Sequence, residues 1–178
     1  MGHEEHRREA PGTVRVFVVT ASDTRTERED AAGTFLREAA ARAGHELAGY
    51  RLVKDDPAEI RAALDEAAAA QADAVIVNGG TGIAARDRTY EAVAVLLEKR
   101  LDGFGELFRA LSYREIGSAA MLSRAVAGAW HGRAVFSVPG SPGAVRLAWE
   151  KLIGPELGHV VRELRKDAAA EGRGPGRP

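Results

Sequence analysis

Short apolar runs rich in β-branched residues alternate along this chain with longer segments in which apolar side chains recur every three or four positions. Residues 14–20 (Val-Arg-Val-Phe-Val-Val-Thr) read as a buried strand. Residues 30–43 follow as a helix: Asp30 is a candidate cap, Phe35, Leu36, Ala39, Ala40 and Ala43 share a face, and Gly44 stops it. Residues 46–53 predict a second strand. Asp56-Pro57-Ala58-Glu59 places Asp at the cap, Pro at the first position and Glu at the third, a strong helix start, with Ile60, Leu64 and Ala67 on the inner face. Val75-Ile76-Val77 predicts a third buried strand, residues 88–98 read as helical from about Tyr90, and residues 99–105 read as a loop. Residues 103–122 hold Phe104, Leu107, Phe108, Leu111, Ile116 and Met121 in two short helices broken near Gly117. Residues 123–129 and 133–138 read as strands joined through His131-Gly132, a connection suited to an antiparallel hairpin. A last helix carries Val145, Trp149, Leu152 and Ile153, is interrupted at Gly154-Pro155, and resumes its stripe with Leu157, Val160, Val161 and Leu164.

Strands alternating with helices predict an α/β fold. It is a three-layer sandwich, with a mainly parallel sheet, an antiparallel hairpin strand and helices on both faces. Right-handed crossovers then gather the loops at residues 21–30, 54–56, 79–88 and 139–142 along one edge, where a site is to be sought. Residues 13–167 form one domain in this reading, between polar tails at 1–12 and 168–178.

Length and charge narrow the functional classes. A chain of 178 residues can bury roughly 70% of its unfolded surface. A net charge of -1 gives no reason to expect nucleic acid or an anionic membrane as partner. No apolar run approaches the roughly 18 residues of a membrane span, and the first residues lack the apolar core of a secretory signal, so a cytoplasmic location is expected. Cysteine is absent, which excludes disulfides, a thiolate nucleophile and Cys-ligated zinc. The histidines (His3, His6, His45, His131, His159) lack the paired spacing of a metal site and read as surface or capping residues.

The chemistry concentrates after the third strand, in Asn78-Gly79-Gly80-Thr81-Gly82 and Arg86-Asp87-Arg88. Gly79, Gly80 and Gly82 permit a sharp turn whose bare amides can face an anion, Thr81 adds a hydroxyl, and Asp87 stands where an acid could hold a metal ion against that anion. The competing reading is a strand-to-helix turn that uses glycine for shape, with Thr89 as the helix cap. Residues 80–85 formally fit a dinucleotide pattern, but the second strand that pattern needs is missing, and no Gly-Lys-Ser/Thr P-loop is present. Asp56 is accounted for as a cap. Asp55 has no local job, so it either reaches the inter-strand crevice or is a surface charge. Ser22-Asp23 reads equally as a local turn or a binding pair. Pro139-Gly140-Ser141-Pro142 is either a turn or an anion site at a helix start. Trp149 reads as core.

Taken in order, Ser22-Asp23-Thr24, Val53-Lys54-Asp55-Asp56, residues 78–82, Arg86-Asp87-Arg88-Thr89, Gly103-Phe104-Gly105-Glu106, Leu122-Ser123-Arg124 and Pro139-Gly140-Ser141 resemble the MoaB/MogA family of molybdenum cofactor biosynthesis proteins over residues 14–164. Glu115-Ile116-Gly117 and residues 123–128 are closer to the MoaB branch. The family commonly has Pro after the Thr matched by Thr89; here it is Tyr90, a departure of little expected cost. The resemblance implies a molybdopterin adenylyltransferase that uses ATP and Mg²⁺. Asp55 and Asp87 would be the catalytic, metal-positioning carboxylates, and Gly79, Gly80, Thr81 and Gly82 would hold nucleotide phosphates. Ser22, Asp23, Ser123, Gly140 and Ser141 would contact pterin or phosphate. It also implies a homotrimer or homohexamer and hand-off of product to the molybdenum insertion enzyme. The alternatives on the same fold are a non-catalytic pterin- or nucleotide-binding protein and a module recruited for assembly.

Overall fold

Strand β1 (Arg15–Ala21) is the hub of the sheet, because its side chains are buried on both faces beyond Arg15. The computed structural model describes residues 12–170, with side chains to Lys166; the expected tail at 1–11 and the end of the tail at 171–178 lie outside the described residues. β1 pairs in parallel with β2 (Glu46–Val53) on one side and with β3 (Ala74–Gly79) on the other. β3 pairs in parallel with β6 (Arg133–Val138), and β5 (Val126–Trp130) runs antiparallel to β6. A short edge strand β4 (Lys99–Arg100) closes the order β2-β1-β3-β6-β5-β4. The sheet is therefore mixed and mainly parallel, as the alternation of elements predicts.

Helices cover both faces. On one, α1 (Ala31–Arg42), α4 (Asp102–Ile116), α5 (Pro142–Ala148) and α6 (Gly154–Ala170) set Leu36, Phe104, Phe108, Val145 and Leu157 against Val16, Val18, Ile76 and Phe136. Trp149 is buried in this cluster, as expected. On the other, α2 (Pro57–Ala69) and α3 (Thr89–Ala94) set Ile60, Leu64 and Val93 against Phe17, Val19, Val75 and Val77. Neighbouring residues of β1 thus serve opposite cores, which is the two-residue period of a strand. Among the described residues no helix is long and apolar enough to cross a membrane.

Local sequence explains most boundaries. Asp56 accepts from the amides of Ala58 (2.9 Å) and Glu59 (3.3 Å), with Pro57 at the first helical turn. His131 (φ 48°) and Gly132 (φ 73°) form the tight hairpin turn. Gly117 (φ 60°) ends α4, and a 3₁₀ segment (Gly117–Leu122) follows.

Five expectations need correction. The helix after the glycine turn stops at Ala94 instead of running to Glu98. Leu96 and Leu97 turn inward onto the second core, and Lys99–Arg100 pairs with β5, so the expected loop at 99–105 holds an edge strand and the start of α4. Gly128 permits this pairing, since a Cβ there would sit 2.2 Å from the Lys99 carbonyl oxygen. β5 begins at Val126, later than expected, because Ser123 belongs to the exit from the 3₁₀ segment. Gly154-Pro155 does not break the last helix: a π-turn (Trp149–Ile153), in which the Gly154 amide reaches the Trp149 carbonyl, carries the chain past the proline's missing N–H. α6 continues to Ala170, beyond the expected boundary at 167, through an alanine run of high helix propensity.

Candidate functional site

The strand order reverses at β1 and β3: the chain moves outward from β1 to β2, then crosses back to β3. Ligands of open α/β sheets lie at the carboxyl ends of strands at such a point. Here those ends are Ala21 and Gly79, which are paired in register. Gly79 has φ 113°, and a Cβ on it would lie 2.0 Å from the Ala21 carbonyl oxygen, so only glycine lets β3 end here. Beyond it opens a cleft of about 410 Å³. Ser22, Asp23, Asp55, Gly79, Gly80, Thr81, Gly82, Asp87, Ser123, Gly140 and Ser141 all line it, so every residue nominated from the sequence meets in one place.

The glycine turn is held by its carbonyl groups. The Gly80 carbonyl oxygen accepts from the Thr89 amide (3.0 Å), and Arg124 Nε donates to the Thr81 carbonyl at 2.8 Å while its Nη2 reaches that of Gly82. In a trans peptide the N–H points opposite to the C=O of the same unit. Anchoring the Gly80 and Thr81 carbonyls therefore fixes the direction of the Thr81 and Gly82 amides. Neither of those amides has an intramolecular acceptor among the described residues. This is the arrangement of an anion-binding turn.

Two carboxylates flank the turn. Asp55 Oδ1 accepts from the Thr89 hydroxyl (2.8 Å) and the Arg88 amide (3.1 Å), and its own amide donates to Asp23 Oδ1 (3.1 Å). Asp55 thus faces the crevice and is not a free surface charge. Burial raises its pKa above the ordinary carboxylate value, the Thr89 and Arg88 hydrogen bonds pull it back, and the charges of Asp87 and Asp23 raise it further. Asp87 Oδ2 accepts from the Ala84 amide (3.1 Å), closing the loop before α3. Cβ atoms built on Gly80 and Gly82 would lie 1.9 Å from Asp55 Oδ2 and 2.4 Å from Asp87 Oδ2, so both carboxylates rest against glycine backbone.

Several nominated residues also have local jobs. Ser22 Oγ accepts from the Arg25 amide (3.2 Å), and Ser141 Oγ caps α5 through the Ala144 amide (3.3 Å). Thr89 is not the cap of the competing reading: it is the first residue of α3, fully buried, and its hydroxyl serves Asp55.

The sequence reading missed the roles of five residues. Arg25 and Arg86 line the cleft as cations. Arg124 grips the glycine turn, pairs with Glu91 and lies over the Tyr90 ring at 4.7 Å. Asp30, expected only as a helix cap, accepts from the Gly33 amide (2.9 Å) and also from the hydroxyls of Thr20 (2.6 Å) and Tyr50 (2.7 Å). Asn78 donates to Thr20 Oγ1 (2.8 Å) beneath the turn. Burial and Asp30 together push the Tyr50 phenol well above its ordinary value, so it acts as a donor. The signal in the sequence was the density of Asp, Arg and Thr in the loops after β1 and β3, without their directions.

Among the described residues no group of three or more acidic or histidine side chains forms a ready metal cage. Mg²⁺ does not require one, since it is commonly held by one or two carboxylates together with substrate phosphates. Asp55 and Asp87, on either side of an anion-ready turn, fit that mode, and a cation there would offset the charges that Asp87 and Asp23 bring to Asp55.

Comparison with known proteins shows the family and the fold. The family model described as "Probable molybdopterin binding domain" matches residues 17–159. Molybdenum cofactor biosynthesis protein B of Halalkalibacterium halodurans is 54% identical over 169 residues, covering 94% of this chain and 99% of the relative. The chain belongs to the MoaB family of molybdenum cofactor biosynthesis proteins. A crystal structure of a molybdenum cofactor biosynthesis protein B superposes with a TM-score of 0.85 at 53% identity, covering 89% of this chain and 99% of that one. MoaB from Pyrococcus furiosus, described as a tungsten cofactor synthesizing protein, superposes with a TM-score of 0.83 at 42% identity, covering 88% and 100%. The MoaB match spans all of the cleft's loops.

Proposed function

We propose that this protein is a molybdopterin adenylyltransferase that works in the cytoplasm with ATP and Mg²⁺. The terminal phosphate oxygen of molybdopterin attacks the α-phosphorus of ATP, the bond from that phosphorus to the bridging oxygen breaks, and pyrophosphate leaves. The product is an adenylated pterin. Such a transfer depends on positioning and charge neutralisation more than on a protein nucleophile, which suits a chain without cysteine.

One observation carries the reading: the Thr81 and Gly82 amides, without intramolecular acceptors among the described residues, sit between the carboxylates of Asp55 and Asp87. In this proposal the turn receives nucleotide phosphates, and Asp55 and Asp87 hold Mg²⁺, which supplies charge neutralisation at the phosphates. Ser22, Asp23, Ser123, Gly140 and Ser141 line the side taken by the pterin and its phosphate.

The test is to combine the protein with molybdopterin, ATP and Mg²⁺ and to assay adenylated pterin and pyrophosphate. Formation of both in equal amounts is expected. ATP and pterin binding without product favours the second reading, a non-catalytic binding protein. That reading draws on the fact that Asp55 and Asp87 both serve the loop's own hydrogen bonds.

We also infer a homotrimer or homohexamer that hands its product to the molybdenum insertion enzyme. Leu107, Ile116 and Met121, exposed on α4 and the 3₁₀ segment after it, give it apolar surface to bury. Light scattering that finds a monomer would contradict this.

A further inference from the structure

Arg25 lines the cleft from the loop after β1, beside Gly140. Its Nη2 donates to the Gly140 carbonyl at 3.0 Å, and its Nη1 lies 4.0 Å from Asp30 Oδ1. The Arg25 side chain is about one-third exposed, while the Asp30 side chain has no exposure at all. Asp30 is fixed by Thr20, Tyr50 and the Gly33 amide, which belong to β1, β2 and α1. Arg25 is thereby tied at one face to the rigid interior and at another to the backbone of the loop carrying Gly140, while its residue lines the cleft. Asp30 serves as more than a cap in this geometry. A helix cap needs only the Gly33 amide, and the two hydroxyls pin the other carboxyl oxygen, so that Oδ1 faces Arg25.

We propose that Arg25 is a fixed anchor for a phosphoryl oxyanion in this cleft, and that Asp30 is its positioning residue. The assignment of the cleft to phosphoryl transfer rests on the function proposed above; the anchor itself rests on this geometry. Its role follows from charge. Two phosphate-bearing reactants must approach each other, and the acidic side chains Asp23, Asp55 and Asp87 line the cleft alongside them. Arg86 lies on the loop of Asp87, so Arg25 is the cation on the β1 wall. A guanidinium presents a planar donor fork that matches phosphate oxygens, and its preset position limits the entropy lost on binding. Arg25 lines the same cleft as Thr81 and Gly82, and there it engages a phosphoryl group with a charge that the turn's amides lack. The phosphoryl group comes either from the pterin's terminal phosphate or from the nucleotide.

Calorimetry with each reactant alone separates these sources without turnover. Molybdopterin is titrated without ATP, and ATP with Mg²⁺ is titrated without pterin, into wild type, Arg25→Gln and Arg25→Lys. Arg25→Gln is expected to weaken at least one of them by about tenfold or more, the usual loss for a charge-assisted hydrogen bond. Arg25→Lys is expected to recover part of it. Loss confined to molybdopterin assigns Arg25 to the acceptor, loss confined to ATP assigns it to the donor, and loss of both makes it shared. Unchanged affinity for both overturns the proposal. Asp30→Asn tests the positioning role through a double-mutant cycle: it is expected to weaken the same ligand in wild type but not in the Arg25→Gln background. An equal effect in both backgrounds reduces Asp30 to a structural residue. If Asp30→Asn does not fold, Tyr50→Phe runs the same cycle. Absence of adenylated pterin from wild type, with binding still dependent on Arg25, rejects the adenylyltransferase and keeps the anchor. Product formation with Arg25→Gln binding unchanged does the reverse.

Discussion

The Asp55 carboxylate accepts the Thr89 hydroxyl at 2.8 Å, joining the end of β2 to the start of α3 across the glycine turn. The same carboxyl is held above its ordinary pKa, chiefly by burial. A raised folded pKa means that the folded state keeps a proton that the unfolded chain releases. The stability from this group is present below an unfolded pKa of about 4 and is lost as pH rises through the folded value. Asp55→Asn keeps an amide oxygen to accept from Thr89 and Arg88 but removes the titration. The variant is expected to lose activity while remaining at least as stable as wild type at pH 7. Urea unfolding across that pH window is expected to show a flatter dependence for the variant. A dependence as steep as that of wild type would dismiss Asp55 as its source.

Asp87 separates shape from chemistry more cleanly. Asn at this position can still accept from the Ala84 amide, so the loop is expected to close as before. Turnover is expected to fall at least about 10²-fold, equivalent to roughly 3 kcal/mol of barrier, the usual cost of losing one preorganised electrostatic group. Rate measurements on a variant with wild-type circular dichroism and melting temperature check this. Near-normal turnover removes Asp87 from the chemistry.

Gly80→Ala is expected to damage the site and the fold together. Gly80 has φ 49°, and a Cβ there would meet Asp55 Oδ2 at 1.9 Å and Thr89 Oγ1 at 2.4 Å. The substitution must move Asp55 or break its bond to Thr89. Calorimetry is expected to show loss of ATP affinity, and urea unfolding a loss of about 1–3 kcal/mol from strain at a special backbone position. Gly103→Ala is the control, because a Cβ there meets nothing within 4 Å. Equal ATP affinity in Gly80→Ala and wild type would remove the turn from nucleotide binding.

What was legible in the chain was local. β-branched runs, the Asp56-Pro57 start and the His131-Gly132 turn each carry their cause within a few residues, and the structure follows them. The loops of the cleft were legible through topology, because crossovers bring strand ends to one edge. Directions were not legible. Thr89 looks like a cap until Asp55, 34 positions away, is seen to take its hydroxyl. Arg25 has no evident purpose until Gly140, 115 positions on, lies beside it. β4 spans two residues, too few for any periodicity, and exists because Gly128 leaves room for its backbone.

Arg124 shows how a residue outside the cleft can govern it. Its grip on the Thr81 and Gly82 carbonyls sets the peptide planes of the turn, and its ion pair with Glu91 and its stacking on Tyr90 hold it to α3. Arg124→Gln removes the charged fork while leaving the glycines and both aspartates in place. The peptide units after Thr81 and Gly82 are then free to rotate, so the Gly82 amide loses its fixed direction, while the Thr81 amide keeps the one set by the bond of the Gly80 carbonyl to Thr89. ATP affinity is expected to fall about tenfold, in line with loss of charge-assisted hydrogen bonds. Global stability is expected to drop by only about 1 kcal/mol, since Glu91 is exposed. Hydrogen exchange provides the discriminating readout, with faster exchange expected at residues 82–83 and unchanged exchange in β1 and β3. Loosened exchange with undiminished ATP affinity would mean that the turn's amides do not bind the nucleotide.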